Sequence, residues 1–213
     1  MTGYSVQSEG KCDGHTNMAR DAELLERAEG GKSMARMYEW DGPWVSLGRF
    51  QDPHRDLIDM TIAPWVTRPT GGKAVLHGHD LTVSLARPLV SAASRDLKGE
   101  YRSLIGTFVR ALNELGLKAA LGEETRFVTR GLKTPDCFRN ISPNDVIDPD
   151  TGRKLIGCAL RMTRNAVLAQ CSIPIGTPLC DPAQVYAHPH IGLPLDVGGP
   201  ALRDGIAYSL ETG

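Results

Sequence analysis

The sequence predicts an α+β fold, in which helices pack on a mixed, mainly antiparallel sheet. Three observations carry this. Two segments, one early and one central, place apolar residues at helical spacing. Several others read as short strands bounded by turn residues. Their order is neither strict strand–helix alternation nor an unbroken series of strands.

The early helix is "TNMARDAELLERAEGG". Thr16 is a good cap, Met18, Ala22 and Leu25 share a face, and Gly30-Gly31 stops it. "MARMYEWDGPWVSLGRFQ" alternates and then turns at Asp41-Gly42-Pro43, which predicts two strands joined by a tight turn. "TRPTGGKAVLHGHDLTVSL", Thr67 to Leu85, reads as strand, Gly-Gly bend and strand. The longest helix is expected over Asp96 to Leu115, where Tyr101, Ile105, Phe108, Leu112 and Leu115 recur at helical spacing and Gly116 follows. "NDVID", "RKLIGCALRMTR" and "NAVLAQCSIPI" look like consecutive strands, separated by Pro149-Asp150-Thr151-Gly152 and by Arg164-Asn165. Pro178 to Pro200, rich in Pro and Gly, is expected to wrap the surface before a last helix over Ala201 to Glu211.

Length and composition narrow the class. A chain of 213 residues suits one domain with a real core. With 41% hydrophobic and 23% charged residues it is globular, and a net charge of −1 argues against a nucleic-acid surface. No apolar run approaches the ~20 residues that span a bilayer, so no membrane partner is expected. The N-terminus lacks a basic-then-apolar export signal. Five cysteines, an odd number, favour free thiols in a reducing compartment, so a cytoplasmic protein is expected.

Gly71-Gly72-Lys73 invites comparison with a phosphate-binding loop, but the spacing fails. A Walker loop needs an earlier glycine four residues before Gly-Lys and a Ser or Thr after it, whereas Ala74 follows here. The bend reads as a plain hairpin turn or as one wall of a pocket, since glycines allow a ligand close to the backbone and Arg68 and Lys73 flank it. Cys158 and Cys171 lie in apolar strand patterns, where thiols are usually buried and inert, and Cys12 lies in a polar segment. Cys137 differs. It sits in the irregular loop "KTPDCFRN" near Lys133 and Arg139, the exposed and positive setting that a nucleophilic thiolate needs. Cys171, Cys180, His188 and His190 lack the short spacings of a zinc site, and His77-Gly78-His79 is a poor metal pair, so no metal is expected. Lys154, by its position alone, is a solvated turn lysine.

Taken together, four segments in order resemble the biotin/lipoate protein ligase catalytic-domain family. They are "TNMARDAELL", "MYEWDGPWVSLGRFQ", "TRPTGGKAVLH" and "NDVIDPDTGRKLIGCALRMTR", and the resemblance runs from about Thr16 to Ile175. It implies a fold like the class II synthetase and biotin synthetase cores, as one catalytic domain over 1–213 with no C-terminal accessory domain. It further implies attachment of an acyl group to a lysine of a carrier domain. Lys154 matches the lysine that binds the acyl carbonyl. Arg68, Thr70, Gly71, Gly72, Lys73, Ala74 and His77 would line the acyl pocket, with Gly157 and Ala159 on the facing strand. Cys137-Phe138 stands where one branch, the octanoyltransferases, carries its thioester cysteine. That branch takes octanoate from acyl carrier protein and needs no cofactor, and it serves lipoyl carrier domains such as the glycine cleavage H protein or 2-oxoacid dehydrogenase subunits. The alternatives are a lipoate or biotin ligase using ATP and Mg, and a non-catalytic acyl-binding relative. Pro69, Lys73 and Leu160 depart from the family pattern.

Overall fold

The computed structural model describes residues 3–89, 96–129 and 132–213. In chain order the elements are β1 (Ser5–Cys12), α1 (Gly14–Glu29), β2 (Met34–Trp40), β3 (Trp44–Leu47), α2 (Pro53–Asp56), β4 (Trp65–Thr67), β5 (Val75–His77), β6 (Asp80–Pro88), α3 (Leu97–Glu114), β7 (Ala120–Leu121), β8 (Val146–Ile147), β9 (Lys154–Met162), β10 (Ala166–Pro174), α4 (Pro182–Val185) and α5 (Gly199–Thr212). A large sheet runs β1-β2-β6-β10-β9-β8-β7, and a small one β4-β3-β5. The β1/β2 and β3/β4 pairs are parallel, and the other described pairs are antiparallel. This is the mixed, mainly antiparallel α+β arrangement that the sequence predicts.

Strand alternation divides the two faces of the large sheet. Val83, Leu85, Val167, Ala169 and Ile173 point to one side, where Leu104, Phe108 and Leu112 of α3 and Leu202, Ile206 and Leu210 of α5 complete the main core. On the other side Leu24, Leu25 and Ala28 of α1 cover Met34, Ala86 and Leu168. That second face also carries buried polar side chains: Arg36, Tyr38, Thr82, Ser84, Gln170 and Ser172. Arg36, Tyr38 and Ser84 bond to Asp21 of α1, while Tyr38, Thr82, Gln170 and Ser172 form the floor of the site.

Three sequence expectations change. The cap of α1 is Asp13, not Thr16. Its carboxylate accepts hydrogen bonds from the Thr16 backbone N at 3.0 Å and from the Thr16 hydroxyl at 2.6 Å. The Asp41–Pro43 turn does not close a hairpin. Both edges of β2 are occupied, by β1 and β6, so Gly42 (φ +86°) turns the chain into the small sheet instead. The Gly-Gly bend is not a hairpin either. β4 and β5 flank opposite edges of β3, and residues 68–74 cross over its end between them. By contrast α3 keeps its expected extent, with Asp96 as its cap, and β9 and β10 form the expected antiparallel pair.

Candidate active site

The crossing loop is held by one buried arginine. Arg68 donates through Nε to the Thr70 hydroxyl at 3.1 Å and through one terminal nitrogen to the Ser46 carbonyl at 2.8 Å. Its other terminal nitrogen reaches the carbonyls of Gly71 (2.6 Å) and Lys73 (2.7 Å). Gly72 has φ +86°, and Gly48 packs so tightly below it that a Cβ there would lie 2.0 Å from the Gly72 oxygen. Thr70 in turn donates to Gln170 Oε1 at 2.6 Å, which ties the loop to the floor of the large sheet.

This loop carries the cysteine loop beside it. Ala74 N donates to the Pro135 carbonyl at 2.8 Å, and Cys137 N to the Ala74 carbonyl at 2.9 Å. Asp136 accepts from Phe138 N (2.9 Å) and His190 N (2.7 Å), fixing the turn at Cys137. Phe138 is buried, whereas Cys137 keeps part of its surface open.

Lys154, at the start of β9, is 5% exposed, which removes the solvated reading of this residue. Its Nζ pairs with Asp145 Oδ2 at 2.8 Å. It also donates to the carbonyls of Cys137 (2.8 Å) and Asn140 (3.0 Å) and approaches Cys137 Sγ at 3.3 Å. Burial works against the charge of Lys154, but Asp145 and Cys137 outweigh it and hold its pKa above the ordinary lysine range. The Cys137 thiol is held above its ordinary range: burial, aided by Asp145, pushes it up, and Lys154 and Arg68 offset only part of this. Gly157 makes room for the sulfur: a Cβ there would stand 3.1 Å from Cys137 Sγ and 3.4 Å from Lys154 Cε.

Beside Cys137 lies a narrow cavity of about 30 Å³, whose walls include Met18, Tyr38, Trp40, His77, Gly157 and Gln170. His77 is stacked on Trp40, with ring centroids 3.9 Å apart. Its Nε2 meets Ser46 Oγ at 2.7 Å and its Nδ1 meets Asp80 Oδ2 at 2.8 Å. Burial tends to raise the Asp80 pKa, but His77 and Ser172 keep it below the usual carboxylate range. Ser46 also receives the Arg68 guanidinium at 3.3 Å, so this Ser-His-Asp series is a satisfied strut between the two sheets.

Of the residues singled out from the sequence, Cys137, Arg68, His77, Gly157 and Ala159 line the cavity. Lys154 touches Cys137 from the side. Thr70, Gly71, Gly72 and Lys73 form the loop that frames the cavity, with Lys73 Nζ on the Leu132 carbonyl at 3.1 Å. Ala74 is fully buried against Val45, Leu47 and Leu76 in the core of the small sheet. Sequence reasoning missed Asp145, Ser46 and Gln170. The available signal was the alternation in β6 and β10, where Thr82, Ser84, Gln170 and Ser172 recur every second residue between apolar neighbours. Among the described residues no group of three or more His, Cys, Asp or Glu is placed to hold a metal ion. No described helix is long and apolar enough to cross a membrane.

Residues 13–191 match the family described as the lipoyl protein ligase A/B catalytic domain. The octanoyltransferase LipM of Lysinibacillus sphaericus is 30% identical over 187 residues, covering 81% of this chain and 66% of that protein. The LipM of an Exiguobacterium species is 35% identical over 171 residues, covering 75% of this chain and 61% of that protein. The chain thus spans about two thirds of the length of these curated relatives. Among solved structures, a putative lipoate protein ligase from Thermoplasma acidophilum with bound lipoic acid superposes with a TM-score of 0.79. It is 21% identical, and the match covers 100% of this chain and 86% of that one. The fold is therefore the lipoate-ligase one that the sequence resemblance implies.

Proposed function

Because the chain belongs to the lipoyl protein ligase A/B catalytic domain family, we propose that it is an acyltransferase of protein lipoylation, moving an octanoyl or lipoyl group through a Cys137 thioester. The single observation that carries this reading is the contact of Cys137 Sγ with the buried Lys154–Asp145 ion pair at the edge of the cavity. The donor is octanoyl acyl carrier protein. The acceptor is a lysine of a lipoyl carrier domain, of the H-protein or 2-oxoacid dehydrogenase kind. The route needs no cofactor.

In the first step the Cys137 sulfur attacks the donor thioester carbonyl, the carbon–sulfur bond to the carrier breaks, and the proton leaving Cys137 ends on the carrier thiol. In the second step the neutral acceptor amine attacks the Cys137 thioester carbonyl, the amide bond forms as the bond from that carbon to the Cys137 sulfur breaks, and the amine proton ends on the released Cys137 sulfur. Lys154 stays cationic throughout, because Asp145 holds its charge. It therefore acts as an electrostatic partner of the thiolate and of the developing oxyanion rather than as the resting base. The acyl chain enters between Met18, Trp40 and His77. At about 30 Å³ the cavity equals roughly one water's share of liquid volume, so these side chains separate to admit it. Met18 is the adaptable wall.

The test is incubation with octanoyl acyl carrier protein followed by intact mass measurement. Wild type is expected to gain one hydroxylamine-labile octanoyl group and Cys137→Ala none. An equal adduct on Cys137→Ala would overturn the route. So would pyrophosphate release from ATP with free lipoate that survives Cys137→Ser.

A further inference from the structure

The rim of the cavity carries a charge pattern that the two chemical steps do not use. Three segments lie side by side there: 48–51, 70–74 and 132–135. Arg49 N donates to the Thr70 carbonyl at 2.9 Å, and Gln51 Nε2 to the Pro135 carbonyl at 3.3 Å. Lys73 Nζ reaches the Leu132 carbonyl at 3.1 Å. These segments hold Arg49, Lys73 and Lys133 and contain no Asp or Glu, although the whole chain has a net charge of −1. Among the described residues none of the three cations forms an ion pair. Phe50 stands 81% exposed among them, with the Arg49 guanidinium 5.7 Å from its ring centroid, and Leu132 is 36% exposed. An exposed aromatic with unpaired cations around it is the composition of a binding surface rather than of an ordinary solvated face.

We propose that Arg49, Phe50 and Lys133 form the docking surface for the carrier protein that delivers the acyl thioester, and that they recognise an acidic face of that carrier. The inference rests on the acyltransferase reading above and adds a partner and its site. Charge complementarity selects the occupant. A cationic rim repels an acceptor presenting a lysine ammonium, whereas a thioester is neutral at its reacting end and its carrier is free to supply the negative face. Position agrees, because Ala74 of the strip accepts from Cys137 N at 2.9 Å and Pro135 lies two residues before Cys137.

The experiment compares wild type with Arg49→Glu/Lys133→Glu and with the milder Arg49→Gln/Lys133→Gln, after their thermal transitions show that both fold. Two donors are used: octanoyl acyl carrier protein and a small neutral octanoyl thioester of N-acetylcysteamine. The charge-reversed protein is expected to lose on the order of tenfold or more in kcat/KM with the carrier donor. The loss should be steepest at low salt, the Gln pair should fall between, and the small thioester should react at the wild-type rate. Equal kcat/KM with the carrier donor in all three proteins would overturn the surface. A rise in KM for the lipoyl acceptor with none for the donor would overturn its assignment to the donor. If wild type transfers octanoate from neither donor, the acyltransferase reading fails. Direct titration of acyl carrier protein into each variant then decides the surface: salt-sensitive binding lost on charge reversal supports it, and unchanged or absent binding overturns it.

Discussion

Replacing Asp145 by Asn tests the site at its most loaded contact. The two carboxylate oxygens accept three N–H groups: Oδ2 takes Ser142 N at 2.7 Å and Lys154 Nζ at 2.8 Å, and Oδ1 takes Cys158 N at 3.1 Å. An amide of the same shape turns one of these oxygens into a donor facing a donor, and it leaves Lys154 buried with no countercharge. Breaking one side of a buried ion pair costs about 3–5 kcal/mol. At roughly 2–4 °C per kcal/mol for a chain of this size, even the lower figure lowers Tm by ~6–12 °C. The pH dependence has a definite sign. In wild type the folded pKa of Lys154 lies above its unfolded value, so its contribution to stability is fully present below that unfolded value and is lost only on rising through the folded pKa. Without Asp145 the burial effect dominates and the folded pKa falls below the unfolded one. The unfolded chain then binds more protons, stability of the variant rises with pH, and its deficit against wild type narrows between pH 7 and about 10. Urea unfolding at a series of pH values measures both effects. A variant within about 1 kcal/mol of wild type, with a deficit independent of pH, would refute the reasoning that Asp145 holds a charged Lys154.

Two further substitutions separate chemistry from architecture. Gly157→Ala places a methyl 3.1 Å from Cys137 Sγ and is expected to slow iodoacetamide alkylation of Cys137 and acyl transfer by on the order of tenfold. Its Tm should barely move, since alanine in a strand recovers roughly 0.5–1 kcal/mol of backbone entropy against the crowding; an unchanged alkylation rate counts against the packing of the sulfur. Thr70→Val removes a donor to Gln170 and an acceptor for Arg68 at a fully buried position, and it should cost about 2 kcal/mol in urea unfolding. Thr70→Ser should recover most of that loss, and an equal loss in both variants would put the cost on the methyl rather than the hydrogen bonds.

The parts of this fold legible in the sequence are those whose signal is local. The α3 stripe of Ile105, Phe108 and Leu112 faces one core, and the β9 and β10 segments meet across a short turn, so periodicity and turn chemistry suffice for both. Turn residues, by contrast, report that the chain bends and not which strand it then joins. Asp41-Gly42-Pro43 and Gly71-Gly72 both look like hairpin tips, yet β2 already has β1 and β6 on its two edges, and the Gly-Gly bend carries the chain from β4 across β3 to its far edge. β1 went unrecognised because "SVQSEGKC" is polar, as an outer strand with solvent on its free edge can be. The site divides in the same way. Cys137 stands out by its irregular, cationic loop as well as by the family motifs, whereas Lys154 is legible only through the order of those motifs. Asp145 is nine positions before Lys154 in the chain and meets it across the β8/β9 pair, a contact that no single-strand pattern encodes.

The two cations near Cys137 are not equivalent, and the difference bears on which of them favours the thiolate. Lys154 is nearer, but Asp145 matches its charge at 2.8 Å, and Asp145 itself raises the Cys137 pKa. Arg68 donates only to neutral groups: the hydroxyls of Thr70 and Ser46 and the carbonyls of Ser46, Gly71 and Lys73. Burial pulls the Arg68 pKa down, and no carboxylate among its hydrogen-bond partners compensates. Arg68 therefore brings a buried positive charge that its own hydrogen bonds leave unmatched, whereas Asp145 matches Lys154. A buried charge without a countercharge is costly, and a single anion at the Cys137 sulfur, or on the oxygen of a tetrahedral intermediate beside it, relieves that cost. Arg68 thus links architecture to chemistry. On the proposed thioester route, the guanidinium that clamps the glycine loop would also favour an anion at the cysteine, while Lys154 would supply the short contact that aims it.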